Sequence, residues 1–189
     1  GGRRRRGDGG LMRRRWKSSA SARSAGVLLS DAADAELPEE DPAAIRKRAR
    51  ESAVRILGRR EHSQKELVRK LKQREFSEEV VEETLGWLGE HDLLNEQRFA
   101  SEYARMRAGR GYGPQRILQE LRERGIAEAE ARDALDSLEQ DWWEAAAEVR
   151  QRKFGAALPT ELAEIAKQQR FLQYRGFSSE QARAAVQPR

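Results

Sequence analysis

From residue 42 onward the apolar positions recur at helical spacing, and no stretch shows the strict alternation of a half-buried strand. Ile45, Ala49, Ala53, Ile56 and Leu57 form one stripe behind Asp41-Pro42, an acceptor cap followed by a proline whose missing N–H costs nothing in the first turn. Gly58 and the Arg59-Arg60 pair end this first helix. Ser63-Gln64-Lys65-Glu66 has the form of a capping box, in which the hydroxyl takes the N3 amide and the carboxylate returns to the cap amide. It opens a second helix with Leu67, Val68 and Leu71. Beyond Phe76-Ser77 a third carries Val80, Val81, Thr84, Leu85, Trp87 and Leu88 and ends near Gly89.

The same order then returns twice. Asn95 caps a helix with Phe99, Tyr103 and Met106 on one face; Gly113-Pro114 opens one with Ile117, Leu118 and Leu121; Ala127 leads into Ala131, Ala134, Leu135 and Leu138. In the third pass Trp142, Trp143, Ala146, Val149 and Phe154 form a stripe, Pro159-Thr160 opens a longer helix with Leu162, Ile165 and Leu172, and Ser178 to Gln181 repeat the capping box ahead of Ala182, Ala185 and Val186. The corner between second and third helices aligns the passes: Leu71 to Phe76 matches Leu121 to Ile126 and Leu172 to Phe177, at offsets of 50 and 51 residues. Leucine packs in the last turn, arginine complements the negative helix end, glycine takes the left-handed position, and a large apolar residue plugs the corner. Glu75 stands where the other two corners have glycine and predicts a strained or differently shaped first corner. The expected fold is all-α, three tandem three-helix repeats over 42–93, 94–140 and 141–187. Units this small bury little apolar surface alone and are expected to stack into an elongated, curved monomer.

Charge changes the picture ahead of residue 42. Residues 1–23 hold nine basic side chains against the single acid Asp8, a local charge of +8 in a chain whose total is +5. Asp31, Asp34, Glu36, Glu39, Glu40 and Asp41 follow. A Gly/Arg/Ser-rich and then acidic arm over 1–41 cannot bury enough surface to offset its ordering entropy and is expected to be disordered. Three readings of it stand: a solubilising leader, a weak, sequence-indifferent and salt-sensitive binder of polyanions, or, from its Arg- and Ser-rich composition, an organellar transit peptide. No apolar run is long enough for a membrane span or a secretory core segment. The chain has no cysteine, which fits a reducing, cytoplasmic setting and excludes thiolate chemistry.

Catalytic patterns are missing. The glycine-rich run Gly109 to Pro114 lacks the Lys-Ser/Thr and preceding strand of a phosphate loop and reads as a loop and helix entry. His62 and His91 read as solvated or capping residues, and the sequence predicts no catalytic residue, metal site or cofactor. What remains is cationic: Arg105, Arg107 and Arg110 around the end of the fourth helix, Arg116, Arg122 and Arg124 on the fifth, Arg150, Arg152 and Lys153 on the seventh, and Lys167, Arg170 and Arg175 on the eighth. Each is either a solvated partner of a neighbouring glutamate or part of a discontinuous basic lining suited to a nucleoprotein or phosphate backbone. Trp87, Trp142 and Trp143 lie on helix stripes and are expected in the core.

Asn95 to Tyr103, with Arg107, Gly113, Arg116-Ile117, Glu120-Leu121 and Arg124-Gly125-Ile126, closely resembles the central motif of the RecX family of bacterial recombinase regulators. Ala53 to Leu57 with Ser63, Glu66-Leu67 and Leu71, and Arg170-Phe171-Leu172 with Arg175-Gly176-Phe177, resemble its flanking units, so the resemblance spans about residues 43 to 187. It implies binding of the RecA filament on single-stranded DNA along its groove, with inhibition of ATP hydrolysis, strand exchange and LexA self-cleavage. It implies weak, non-specific contact with single- or double-stranded DNA, and neither enzyme activity nor a membrane partner. Carried onto the motif, Phe99, Tyr103, Ile117, Leu121 and Ile126 are core, whereas Arg98, Arg107, Arg116 and Arg124 face the partner, Arg124 alternatively serving as a helix-end cation. Two competing readings are a stand-alone DNA-binding helical protein and a helical scaffold whose charges only solvate it.

Overall fold

The computed structural model describes residues 41–187, which lie within one compact unit, Glu40–Arg189. The expectation of disorder over 1–41 falls, apart from Asp41, outside the described residues. Among them there are nine helices and no strand: α1 (Pro42–Leu57), α2 (Gln64–Lys72), α3 (Glu78–Glu90), α4 (Glu96–Gly109), α5 (Pro114–Glu123), α6 (Glu128–Asp136), α7 (Trp142–Phe154), α8 (Leu162–Arg175) and α9 (Ser179–Ala184). The helices pack in threes, α1 on α2 and α3, α4 on α5 and α6, α7 on α8 and α9. Each triple encloses its own small core, built on Leu67, Leu71 and Leu88 in the first, Phe99, Ile117 and Leu121 in the second, and Leu172 and Phe177 in the third.

Local chemistry starts these helices. Asp41 accepts from the Ala43 amide at 3.0 Å, Ser63 from Glu66 at 3.2 Å, and Asn95 from Arg98 at 2.9 Å. Ser178 and Gln181 close the full reciprocal box. The first box is only half built: Glu66 turns away from the cap and pairs with Arg60 at 3.0 Å and Arg124 at 3.6 Å, because two guanidiniums hold a carboxylate more strongly than one amide does. Pro159-Thr160 does not open α8, which begins at Leu162 after Glu161 with no side-chain cap. Leu162 is 84% exposed and Trp143 47%, so both leave the stripes assigned to them. His62 is also corrected, being buried rather than solvated, with its Nδ1–H donating to the Arg60 carbonyl at 2.9 Å.

The three corners share a left-handed residue but not every closing bond: the Ile126 amide donates to the Leu121 carbonyl at 3.1 Å and the Phe177 amide to the Leu172 carbonyl at 3.1 Å, whereas the Phe76 amide makes no such bond to Leu71. Gly125 has φ 88° and Gly176 φ 96°, and Glu75 joins them at φ 65°, so the first corner carries the strain of a side chain in left-handed space and is closed less fully than the other two. The covering of each corner differs as well. The first turn of α2 lies on the second corner, where a Cβ added at Gly125 would sit 3.2 Å from Lys65 Cβ. The first turn of α5 lies on the third, where one added at Gly176 would fall 2.6 Å from the Arg116 nitrogen. Glu75 is exposed, which leaves room for its side chain.

Candidate functional site

The contacts between units therefore form two seams with different chemistry. The seam between the second and third units is backbone on backbone: the Gly113 amide donates to the Arg175 carbonyl at 2.9 Å and the Gln115 amide to the Gly176 carbonyl at 3.1 Å. Glycine is required there for space, since a Cβ at Gly113 would lie 2.5 Å from the Phe177 nitrogen although its φ of −82° suits any residue. The seam between the first and second units uses side chains. Arg98 pairs with Glu61, Arg124 with Glu66, Lys65 donates to the Glu123 carbonyl at 2.9 Å, and the Gln64 amide donates to Glu96 at 3.2 Å.

Over the second unit these seams are joined by a network centred on Glu120 of α5. Its carboxylate accepts from Arg107, from Arg116 at 3.0 Å and from the Tyr103 hydroxyl at 2.8 Å. Burial alone would raise the Glu120 pKa, but these three donors outweigh it and hold the carboxyl below its ordinary value. Burial, with the hydrogen bond to Glu120, pushes Tyr103 up to about 12. Aromatic faces carry the remaining cations. Tyr112 has the Arg107 guanidinium 3.6 Å from its ring centre, with Arg175 at 4.9 Å and Arg116 at 5.0 Å, and Arg124 stands 4.4 Å from Tyr103. The chain of contacts continues into the third unit through Arg175 beside Phe171, Phe171 edge-on to Phe154, and Lys167 over Phe154.

The thirteen cations singled out from the sequence thus divide by situation. Arg98, Arg107, Arg116, Arg124 and Arg175 hold seams or the Glu120 network. Arg122 pairs with Glu128, and Lys167 with Glu164 at 3.2 Å. Arg105, Arg110, Arg152, Lys153 and Arg170 are exposed, with side chains that no described residue engages. Arg150 does not belong to an exposed lining: it is 4% exposed and bonded to the Ala156 and Ala157 carbonyls. Sequence reasoning missed Tyr112, hidden in a loop, and the central part of Glu120. The i, i+4 spacing of Arg116 and Glu120 was the available signal for the latter.

The described residues thus define a helical-repeat protein of three three-helix domains, tied together by a cation–aromatic network over its middle unit. Family models for the first, second and third three-helix domains of RecX match residues 49–88, 95–135 and 139–186 in order. The chain belongs to the RecX family. It is 45% identical over 137 residues to the regulatory protein RecX of Halorhodospira halophila, an alignment covering 72% of this chain and 85% of that one. It is 46% identical over 138 residues to that of Pseudomonas putida strain GB-1, covering 73% and 86%. A crystal structure of regulatory protein RecX superposes with a TM-score of 0.62 at 28% identity, over 74% of this chain and 70% of that one. RecX from Lactobacillus salivarius shares the fold, with a TM-score of 0.66 at 23% identity over 76% and 96%.

Proposed function

We propose that this protein restrains the RecA recombinase in the cytoplasm by binding along the RecA filament on single-stranded DNA, lowering ATP hydrolysis, strand exchange and LexA self-cleavage. The observation that carries this reading is the complete, ordered set of RecX domains together with relatives named regulatory proteins. No chemical step by the regulator is needed. A ligand that binds one filament state more tightly than another shifts growth and decay by that difference alone. Within this reading the seam cations keep the units in register, and the exposed set Arg105, Arg110, Arg152, Lys153 and Arg170 supplies the contacts.

The test is RecA's single-strand-dependent ATP hydrolysis with the protein titrated in, repeated with excess DNA. Inhibition well below one molecule per recombinase and insensitive to added DNA supports the filament reading. Unpaired surface cations would also suit a DNA backbone, and a plain DNA competitor is identified by inhibition that excess DNA abolishes. Replacing Arg105, Arg110, Arg152, Lys153 and Arg170 together by alanine is expected to weaken inhibition by roughly tenfold or more, and unchanged inhibition removes these residues from the contact set.

A further inference from the structure

The third unit holds a charge that neither seam uses. Arg150, on α7, is 4% exposed. Its Nη1 donates to the Ala157 carbonyl at 2.9 Å and its Nη2 to the Ala156 carbonyl at 3.2 Å, so both acceptors are neutral. Its Nε–H is buried with no acceptor. A guanidinium cannot shed its proton at any ordinary pH, and a cation removed from water with only carbonyls around it carries a desolvation cost that a carboxylate would offset.

Arg150 also lines a cavity of about 520 Å³ with Trp143, Ala147, Ala156, Leu158 and Ala184. Trp143 is 47% and Leu158 39% exposed, so an apolar wall stands open beside the buried cation. The exposed amides of Gln151 and Gln187 complete the lining, so the concavity pairs an apolar wall with a few polar groups, of which Arg150 is the buried and fixed one, a composition usual for a ligand site. Among the described residues the lining contains no second cation. A nucleic-acid backbone, with a charge at every phosphate, would be poorly neutralised here, whereas a single carboxylate matches a single guanidinium.

We propose that this cavity binds an acidic segment of a partner protein, a Glu or Asp carboxylate reaching Arg150 while a neighbouring apolar side chain lies on Trp143 and Leu158. The Arg150 guanidinium already holds the α7–α8 connector through its carbonyls, so docking draws the Ala156–Ala157 backbone with it. Gly155, at φ 92° and with no atom within 4 Å of an added Cβ, lies in open space at the start of that connector. The site needs no recombinase and is tested without one.

The experiment is nuclear magnetic resonance titration of the full chain with the peptide acetyl-Gly-Leu-Glu-Leu-Gly-amide and its Gln analogue, following the Arg150 Nε–H and the Trp143 indole N–H. The acidic peptide is expected to shift both signals with a dissociation constant of about 1 mM, and the Gln peptide to bind at least roughly tenfold more weakly because it offers no charge to the guanidinium. Arg150→Gln should abolish the difference between the peptides. As that variant risks the fold of the unit, Ala184→Glu provides a second test: this exposed position on α9 places a like charge beside the cavity and should weaken the acidic peptide about fivefold with an unchanged circular dichroism spectrum. Equal binding of the two peptides, or an Arg150 signal unmoved at about ten times the expected constant, overturns the proposal. Binding of 4-methylpentanoate as tight as that of the acidic peptide also overturns it, in favour of a small-molecule carboxylate.

Discussion

At the scale of single residues, the corner position separates two costs that are usually confounded. Gly125 and Gly176 share a left-handed backbone but differ in space: an added Cβ meets Lys65 at 3.2 Å in one and the Arg116 backbone nitrogen at 2.6 Å in the other. Gly125→Ala is expected to cost about 1 kcal/mol of unfolding free energy, mostly conformational, and Gly176→Ala at least about 3 kcal/mol, because backbone must move as well. Glu75→Gly should stabilise by about 0.5–1 kcal/mol. Urea denaturation of the three variants checks the order. Glu120 offers a test of a different kind. Its pKa is lowered by Arg107, Tyr103 and Arg116, so its stabilisation is complete above the ordinary carboxylate value of 4.5 and is lost as pH falls through the lower folded-state value. Glu120→Gln, which leaves the barely exposed Arg107 without its counter-charge, is expected to cost about 3 kcal/mol at pH 7 and to flatten that acid limb. The left-handed glycines were legible in the sequence because three aligned corners exposed them. Glu120 was not, because its donors Tyr103 and Arg107 come from α4 and converge on α5 only once the two helices pack, which no local spacing announces.

At the scale of helices, apolar spacing and caps located the elements, and the failures have physical causes. Proline and threonine at 159–160 were read as a helix start, but α8 begins at Leu162, beyond Glu161. Glu66 was read as a capping carboxylate, but its partners are Arg60 and Arg124, the latter from a unit far along the chain. Periodicity recovered Leu67, Leu71, Ile117 and Leu121, which their own units bury, whereas Leu162 and Trp143 keep the spacing but stand in the first turns of α8 and α7 and are exposed. His62, ahead of α2, was the clearest miss, since nothing local announces its burial. Burial holds its pKa below 6.5, so the neutral ring is favoured in the folded state, and that contribution is present above 6.5 and lost on acidification. A titration of His62 by its ring carbon protons should show the lowered value, while Ser63→Ala removes the helix cap beside it and costs about 1 kcal/mol.

At the scale of the whole molecule, the two seams predict unequal responses to solvent. The pairs Arg98–Glu61 and Arg124–Glu66 are partly exposed and therefore screened by salt, whereas the amide bonds of Gly113 and Gln115 are not. Amide exchange at Gly113 and Gln115 is expected to change little between low and high salt, and at Gln64 to quicken. A chain lacking residues 1–40 should inhibit RecA as well as the full chain with a flatter salt dependence, because nine of the basic residues lie in residues 1–23; loss of inhibition would make the arm part of the contact. The three-unit architecture was readable from the repeat itself, but which seam is backbone and which is side chain was not, since Ser63 and Gly113 occupy equivalent cap positions and only the latter lacks a side chain. The manner of docking, with the first turn of one unit's second helix laid on the corner of the next, also runs one way along the chain. It leaves Glu75 at one end and the exposed start of α8 at the other, so the stack has polarity. A stack with such polarity, bound along the filament proposed above, has two orientations that are not equivalent, because reversing it exchanges the Glu75 end for the α8 end.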